Sequence, residues 1–207
     1  MTRVSTSDHA SRDCILIGAG GHAKVVRELA ELCGAHILGV CDPKFQGTHN
    51  EIWNGLKALG GDEYLSRVNP QTVLLLNGIG MMPGSRIRQG VFERFKAMGF
   101  HFPSLVHPFA WISHDAHIGD GVQLMAGCVV QPGARIGMNT IINTRSSVDH
   151  DSFLGEHCHL APGATLCGDA SVGAGTFIGA GATITHGVTV APKTFIKAGS
   201  LTAKDVL

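Results

Sequence analysis

Residues 143–164 bring several potentially reactive side chains together in the largely aliphatic C-terminal half of this sequence. They include His150, which is followed directly by Asp151, and the triplet His157-Cys158-His159. An imidazole titrates near neutral pH, so a histidine that faces a cleft can take a proton from a substrate as a general base. This segment is therefore the first candidate for a catalytic site.

A glycine-rich turn near the N-terminus is the second candidate site, and it contains Gly18, Gly20, Gly21 and His22. A glycine turn that opens a helix presents backbone N–H groups and the positive end of the helix to a phosphate. Asp42, about twenty residues further on, could hold a ribose or a base. A structural turn with Asp42 capping a strand would have the same sequence, and a Rossmann-type NAD site would look similar. The motif alone leaves these interpretations open.

A repeat of six residues organises the chain from Val106 onwards. Every sixth residue from Val106 to Ile196 is Ile, Leu or Val, sixteen in succession, and the residue four positions further on is small in every hexad. A strict period of six suits short strands joined by tight corners, with both positions facing inward. An ordinary strand sandwich would show variable spacing and insertions. The pattern therefore predicts a coiled stack of short strands.

The repeat also predicts which polar side chains face outward. His150 occupies the third position of its hexad, outside the two inward positions, so it can face a cleft. Cys158 falls at an inward position, and alternation then turns His157 and His159 the other way. We therefore expect no metal at this triplet, and no metal elsewhere in the chain.

Before the repeat, the sequence follows a β–α–β pattern. Strands are predicted at residues 14–17, 37–40 and 73–76, and helices at residues 24–33 and 86–98. About 90 residues supply one mononucleotide-binding half of a Rossmann fold rather than the two that NAD requires, so a mononucleotide sugar is the better fit. The predicted divisions are a flexible tail (1–13), an α/β domain (14–105) and a repeat domain (106–207).

Charge and composition limit the classes of partner that the protein is expected to bind. Basic and acidic residues balance at 16 each, so the chain has no excess of positive charge that would attract nucleic acid or an anionic membrane surface. No apolar run is long enough to span a bilayer, and residues 1–13 lack the apolar core of a signal peptide. Six scattered cysteines without a CxxC pair fit reduced thiols. We expect a globular cytoplasmic protein that binds small molecules or copies of itself.

From residue 14 to residue 205 the sequence resembles the bacterial sugar O- and N-acyltransferases of the hexapeptide-repeat type. These are typified by sialic-acid O-acetyltransferases and nucleotide-aminosugar N-acetyltransferases. The similarity runs through the turn at 18–22 and through residues 148–151 and 159–164. It implies a half-Rossmann-like α/β domain, then a left-handed parallel β-helix with three hexads in each coil. It also implies a homotrimer with active sites between subunits, and acetyl-CoA as co-substrate.

The resemblance implies roles for individual residues in the β-helix. His150 would be the general base, and Asp151, in place of the glutamate of some members, would orient it. His159 would contact acetyl-CoA or the acceptor, and Gly168 would donate its N–H to the thioester carbonyl. In coils of 18 residues, His150 stacks over Gly168 at about 4.8 Å, which pairs a proton acceptor with an oxyanion donor.

Two further histidines fall in the same column of the implied coils. His114 and His186 lie two coils from His150 on either side, at about 9.6 Å from the coil spacing. This distance is too long for direct proton transfer. We interpret both as surface residues.

We predict acetyl transfer from acetyl-CoA to the amine of a UDP- or GDP-linked 4-amino sugar in bacterial glycan biosynthesis, by direct attack with His150 as base. By the resemblance, the turn residues Gly18, Gly20, Gly21 and His22 bind the nucleotide sugar together with Asp42. Two alternatives remain open. One is O-acetylation of a sugar hydroxyl such as that of a sialic acid, and the other is a non-catalytic trimeric protein that only binds nucleotide sugars.

Overall fold

The computed structural model describes residues 13–47 and 51–207, so the predicted tail lies outside the described residues apart from Asp13. The described chain divides into two compact units. The N-terminal unit contains the residues up to Gly80 together with Arg86–Pro103, and the C-terminal unit contains Met81–Ser85 and Ser104–Leu207. No helix in the described ranges is long and apolar enough to cross a membrane.

The N-terminal unit is built on a five-stranded sheet in the part of the chain that the structure describes. Its strands are β1 (Asp13–Ile17), β2 (Ile37–Cys41), β3 (Ile52–Trp53), β4 (Leu56–Gly60) and β5 (Val73–Asn77). The order across the sheet is β3-β4-β2-β1-β5, and only the β3–β4 pair is antiparallel. The helices are α1 (Gly21–Leu32), α2 (Asp62–Leu65) and α3 (Ile87–Ala97), with a 3₁₀ turn at Pro43–Phe45.

The sequence explains the central elements of this sheet. Strand β5 is buried along its whole length and β1 is buried beyond its first residue, which is typical of parallel strands covered on both faces. Helix α1 buries Ala23, Val26, Leu29 and Ala30 at helical spacing. The three predicted strands and the two predicted helices are all present, with ends that differ by one to three residues.

The β3–β4 hairpin and the short helix α2 were not predicted. The hairpin turns at Asn54-Gly55, and both residues have positive φ angles, of 44° and 80°. An Asn-Gly pair is a strong signal for a tight hairpin turn, so the sequence did contain the information. The flanking strands are too short and too mixed to stand out by periodicity alone.

The C-terminal unit consists of seventeen two-residue strands across residues 104–207, all of which are described. They are β6 (Leu105–Val106), β7 (Trp111–Ile112), β8 (His117–Ile118), β9 (Gln123–Leu124), β10 (Val129–Val130), β11 (Arg135–Ile136), β12 (Ile141–Ile142), β13 (Ser147–Val148), β14 (Phe153–Leu154), β15 (His159–Leu160), β16 (Thr165–Leu166), β17 (Ser171–Val172), β18 (Phe177–Ile178), β19 (Thr183–Ile184), β20 (Thr189–Val190), β21 (Phe195–Ile196) and β22 (Leu201–Thr202).

These strands form three parallel sheets, and each strand pairs with the strands 18 residues before and after it. The sheet orders are β6-β9-β12-β15-β18-β21, β7-β10-β13-β16-β19-β22 and β8-β11-β14-β17-β20. The arrangement is that of a left-handed parallel β-helix, so the predicted fold class is confirmed.

The two inward positions of each hexad form the core of the β-helix. The aliphatic position is fully buried in most coils, as at Val148 and Leu166, and so is the small position, as at Cys128 and Ala164. The corners leave little room. A Cβ added to Gly155 would lie 2.6 Å from the backbone nitrogen of Ala174 in the next coil, so only glycine fits there.

Candidate active site

His150 stands at the corner that follows β13 and is oriented by the next residue. Its Nδ1 lies 2.9 Å from Oδ2 of Asp151, and 58% of the His150 side chain is exposed. Because a carboxylate only accepts hydrogen bonds, Nδ1 carries the proton and Nε2 keeps its lone pair. Asp151 has φ of 60°, a left-handed conformation that aspartate tolerates better than most residues. The shorter acid therefore reaches the histidine.

The His150 ring lies directly over Gly168. A Cβ on Gly168 would lie 2.6 Å from His150 Nε2, so any side chain there would collide with the imidazole. The Gly168 N–H has no hydrogen-bond acceptor among the described residues. The predicted stacking of His150 over Gly168 is therefore observed, and it brings a proton acceptor next to a backbone donor.

Three carboxylates surround His150. The hydrogen bond that His150 donates to Asp151 raises the pKa of His150, desolvation opposes that rise, and the charges of Asp151, Asp149 and Asp169 add to it. A raised pKa makes the imidazole a stronger base and also makes it hold a proton at higher pH. Gly133, one coil earlier, leaves room for Asp151, since a Cβ at Gly133 would collide with Asp151 Oδ1.

His186 is closer to His150 than the coil spacing predicted. The two ring centroids are 6.5 Å apart, with the ring planes tilted by 43°. The prediction of about 9.6 Å assumed side chains that point straight out of the coil. It was wrong because Gly168, which separates the two coils, has no side chain and lets the His150 ring reach over it.

His157 and His159 are both buried, each with 8% of its surface exposed, although neither belongs to the core cluster inside the coils that contains Cys158. His157 Nδ1 lies 2.9 Å from the Asn139 amide nitrogen. His157 lies at a corner with φ of 55°, and neighbouring coils cover both side chains, so strand alternation does not decide their exposure.

The His159 ring is fixed by Asn143, whose role the sequence did not reveal. The N–H of Thr144 donates to Asn143 Oδ1 at 2.8 Å, so the Asn143 amide nitrogen faces His159 Nε2 at 3.0 Å. Nδ1 of His159 then carries the proton and lies 3.4 Å from the carbonyl oxygen of Met81. The edge-on contact with Phe177, at 4.8 Å between ring centroids, completes the enclosure.

In the N-terminal unit, the glycine turn joins β1 to α1. Gly18 has φ of 91° and packs against Ile79, while a side chain on Gly20 or Gly21 would meet no atom within 4 Å. Helix α1 starts after Gly20 with no side-chain cap and no acidic residue in its first turn. Its N-terminus is therefore open to a negatively charged group.

Asp42 closes this turn. The Ala19 N–H donates to Asp42 Oδ2 at 2.7 Å, and the Lys44 N–H donates to Oδ1 at 3.0 Å. Lys44 Nζ also donates to the carbonyl oxygen of Ala19 at 3.1 Å. Asp42 thus caps the 3₁₀ turn and joins the end of β2 to the glycine turn, a structural role close to the alternative in which Asp42 caps a strand.

A second turn, residues 77–80 after β5, lies beside the first. Arg88 is buried and donates from Nη1 to the carbonyl oxygens of Asn77 and Ile79, at 3.0 and 2.7 Å. Burial lowers the pKa of Arg88 to about 9. A Cβ on Gly80 would lie 3.2 Å from the Cβ of His22, so the two turns approach closely. They occupy the carboxyl ends of β1 and β5, where the sheet order reverses, which is the usual ligand position in open α/β sheets.

Across residues 13–47 and 51–207, no group of three His, Cys, Asp or Glu side chains is arranged to hold a metal ion. None of the six cysteines, all of which lie in the described ranges, forms a disulfide. Burial raises the pKa of Cys14 to about 11 and those of Cys41, Cys128 and Cys158 to about 12. Cys167, next to Gly168, also has a raised pKa, from burial and then from the charge of Asp149. None of these five thiols is poised as a nucleophile.

Family models match both units. The PglD N-terminal domain matches residues 13–95, and the bacterial transferase hexapeptide (six repeats) matches residues 115–150 and 151–186. A solved structure of a histidine-to-asparagine variant of perosamine N-acetyltransferase from Caulobacter crescentus, in complex with CoA and GDP-perosamine, is 34% identical to this chain. The similarity covers 95% of this chain and 90% of that one, with a TM-score of 0.86. The chain belongs to the PglD-type family of hexapeptide-repeat nucleotide-sugar N-acetyltransferases.

Two further relatives support membership of the PglD-type family. The acetyltransferase domain of PglB from Neisseria gonorrhoeae FA1090, in complex with acetyl coenzyme A, is 34% identical, with a TM-score of 0.84 and coverage of 94% and 92%. UDP-N-acetylbacillosamine N-acetyltransferase from Bacillus subtilis (strain 168) is 32% identical over 119 residues. That match spans 56% of this chain and 52% of that protein, about half of the curated relative. The family resemblance predicted from the sequence is confirmed.

Proposed function

We propose that this protein transfers the acetyl group of acetyl-CoA to the amine of a nucleotide-linked amino sugar. The observation that carries this proposal is the His150–Asp151 pair over Gly168, in a chain of the PglD-type family. Relatives with 34% identity bind CoA with GDP-perosamine in one case and acetyl coenzyme A in another. The curated relative acts on a UDP-linked sugar by its name.

In the proposed reaction, the acceptor amine attacks the thioester carbon while His150 Nε2 takes a proton from the nitrogen. Asp151 holds the ring so that Nε2 faces the substrate, and it stabilises the imidazolium that forms. The Gly168 N–H donates to the carbonyl oxygen as negative charge develops on it. Attack is direct, because Cys167 beside Gly168 and the buried Cys158 have raised pKa values and supply no nucleophile for an acyl-enzyme.

The acceptor's nucleotide is assigned to the N-terminal unit. The open N-terminus of α1 at Gly20 and Gly21 suits the phosphates, and His22 and Asp42 lie at the same turn. His159 is proposed to contact acetyl-CoA or the acceptor through the small part of its ring that remains exposed. Its fixed orientation suits a hydrogen-bonding role better than proton transfer.

The working protein is proposed to be a cytoplasmic homotrimer. Large apolar side chains are exposed on all three sheets of the β-helix, including Trp111, Phe153 and Phe195. Exposed aromatic residues on regular surfaces favour association between subunits. Six cysteines without a disulfide among the described residues fit a reducing compartment.

A panel of acceptors tests the proposal. Purified protein and acetyl-CoA are mixed with UDP- and GDP-linked 4-amino sugars, and the released thiol is measured. The matched controls are the same nucleotide sugars with a hydroxyl in place of the amine. We expect thiol release with an amine and none with its control. Thiol release with the hydroxyl sugars would reject the assignment. So would the absence of thiol release with every amino sugar in the panel.

A further inference from the structure

A second histidine lies beside the proposed base. His186 follows Gly168 in the column that contains His150, and the rings of the two histidines are 6.5 Å apart between centroids. The Nε2 end of the His150 ring is the end that reaches over Gly168, since Nε2 is the atom nearest to the position of a Gly168 Cβ. His186 is exposed to solvent. It is therefore the next polar side chain along this column from the nitrogen that would accept the proton.

The proposed reaction has to release a proton in every turnover. A sugar amine in water is largely an ammonium ion near neutral pH, as alkyl amines are in general. Conversion to the amide forms a C–N bond, breaks the thioester C–S bond and removes two protons from the nitrogen. One of these protons ends on the thiol of CoA, and the other must reach solvent.

The surroundings of His150 oppose the loss of that proton. The negative charges of Asp151, Asp149 and Asp169 stabilise the charged form of the ring. Nδ1 donates a hydrogen bond to Asp151, so a proton that Nε2 takes from the acceptor can leave only from Nε2. A bound acceptor and thioester would shield this nitrogen from bulk solvent on the side where they bind. A neighbouring imidazole is a suitable next carrier, because it is a group of the same chemical kind.

We propose that His186 is a positioning residue that relays a proton from His150 to solvent through one water molecule held between the two rings. Two hydrogen bonds through a water span about 5–6 Å, which suits ring nitrogens on imidazoles with this separation. The His150 imidazolium gives its Nε2 proton to the water, the water gives one of its protons to the unprotonated nitrogen of His186, and His186 then releases a proton to solvent. This relay rests on the proposed acetyl transfer.

Rescue by a diffusible base distinguishes a relay from a merely structural role. The kcat of His186→Ala is measured in dilute, weakly basic buffer, and again as imidazole is added. We expect a several-fold loss of kcat that added imidazole restores in a saturable way, while the wild-type rate stays constant. His186→Gln should lose as much, because an amide cannot carry the proton.

His114→Ala is the matched control. His114 belongs to the same column, two coils from His150 on the side away from Gly168, and 92% of its side chain is exposed. Its replacement should leave kcat and the response to imidazole unchanged. Equal melting temperatures for all variants would show that folding is not affected.

The outcomes separate the relay from the function on which it rests. Wild-type turnover with an unaffected His186→Ala variant would overturn the relay alone, and so would a loss that imidazole does not restore. Wild-type protein that acetylates no amino sugar would overturn the proposed function and the relay with it.

Discussion

At the residue scale, one hydrogen bond decides which nitrogen of His150 can act as a base. The position of His150 outside the inward sites of the repeat was predictable from spacing, and so was its place over Gly168 once three hexads were assigned to each coil. The contact with Asp151 was expected only from the family resemblance, because it depends on the left-handed backbone at Asp151, which spacing does not reveal. The enclosure of His159 by Asn143 and Phe177 comes from neighbouring coils and had no local signal.

Replacing His150 with Asn keeps a polar side chain of similar size and removes the base. Loss of a general base typically costs about 10² to 10⁴-fold in rate, so kcat should fall by that order while CoA binding persists. An amine loses its proton more easily than a hydroxyl does, so the loss should lie at the lower end and shrink as pH rises. Measuring kcat/KM against pH for both proteins checks this. Near-normal turnover of the variant at pH 7 would show that another group is the base.

Replacing Asp151 with Asn should move the acidic limb of the kcat/KM profile. The hydrogen bond and charge of Asp151 raise the pKa of His150, so their loss lowers that pKa. His150 would then stay unprotonated to lower pH, and the acidic limb should shift to lower pH while the plateau falls because the base is weaker. Asp115→Asn, beside His114 in the same column, is the control. A limb that stays in place would mean that Asp151 does not act on the group that titrates.

At the element scale, the site depends on turns that side-chain contacts hold in place. The glycine turn after β1 was predictable from its sequence, whereas the second turn, fixed by Arg88 between β5 and α3, was not recognised as part of the same edge. The pairing of these turns follows from the strand order β2-β1-β5. Sequence periodicity identifies strands but does not give their order in a sheet.

Replacing Asp42 with Ala should weaken the binding of the nucleotide sugar and leave the affinity for acetyl-CoA near that of the wild type. The change removes two acceptors for backbone N–H groups, at Ala19 and Lys44, and so loosens the turn proposed to hold the phosphates. Calorimetric titration with each ligand measures the two affinities separately. Glu28→Ala, an exposed acidic position on α1, is the control. Equal losses for both ligands, or a loss for CoA alone, would reject this assignment.

At the scale of the whole molecule, the period of six made the fold predictable. Sixteen consecutive aliphatic positions define sixteen of the seventeen strands of the β-helix, and the pairing of strands 18 residues apart follows the same period. The N-terminal unit has no repeated pattern of this kind. Its β3–β4 hairpin depends on a few residues around Asn54-Gly55. The sequence patterns of the two units do not predict how the protein assembles, because exposed side chains such as Trp111 do not specify a partner.

The proposed trimer predicts a mass in solution of three times the 21.7 kDa chain. Aromatic side chains exposed on the sheets would lose contact with water in that assembly, which favours association. Light scattering coupled to size-exclusion chromatography measures this mass directly. A stable monomer that retains full activity would contradict both the trimer and a site shared between subunits.

The acetylation reaction itself is tested most directly by competition between two acceptors in one tube. The protein and acetyl-CoA are incubated with equal amounts of a nucleotide-linked amino sugar and its hydroxyl counterpart. The masses of the products are then measured by mass spectrometry. We predict that the amino compound alone gains one acetyl group. Acetylation of the hydroxyl compound, or consumption of acetyl-CoA with neither compound changed, would contradict N-acetylation as the function of this protein.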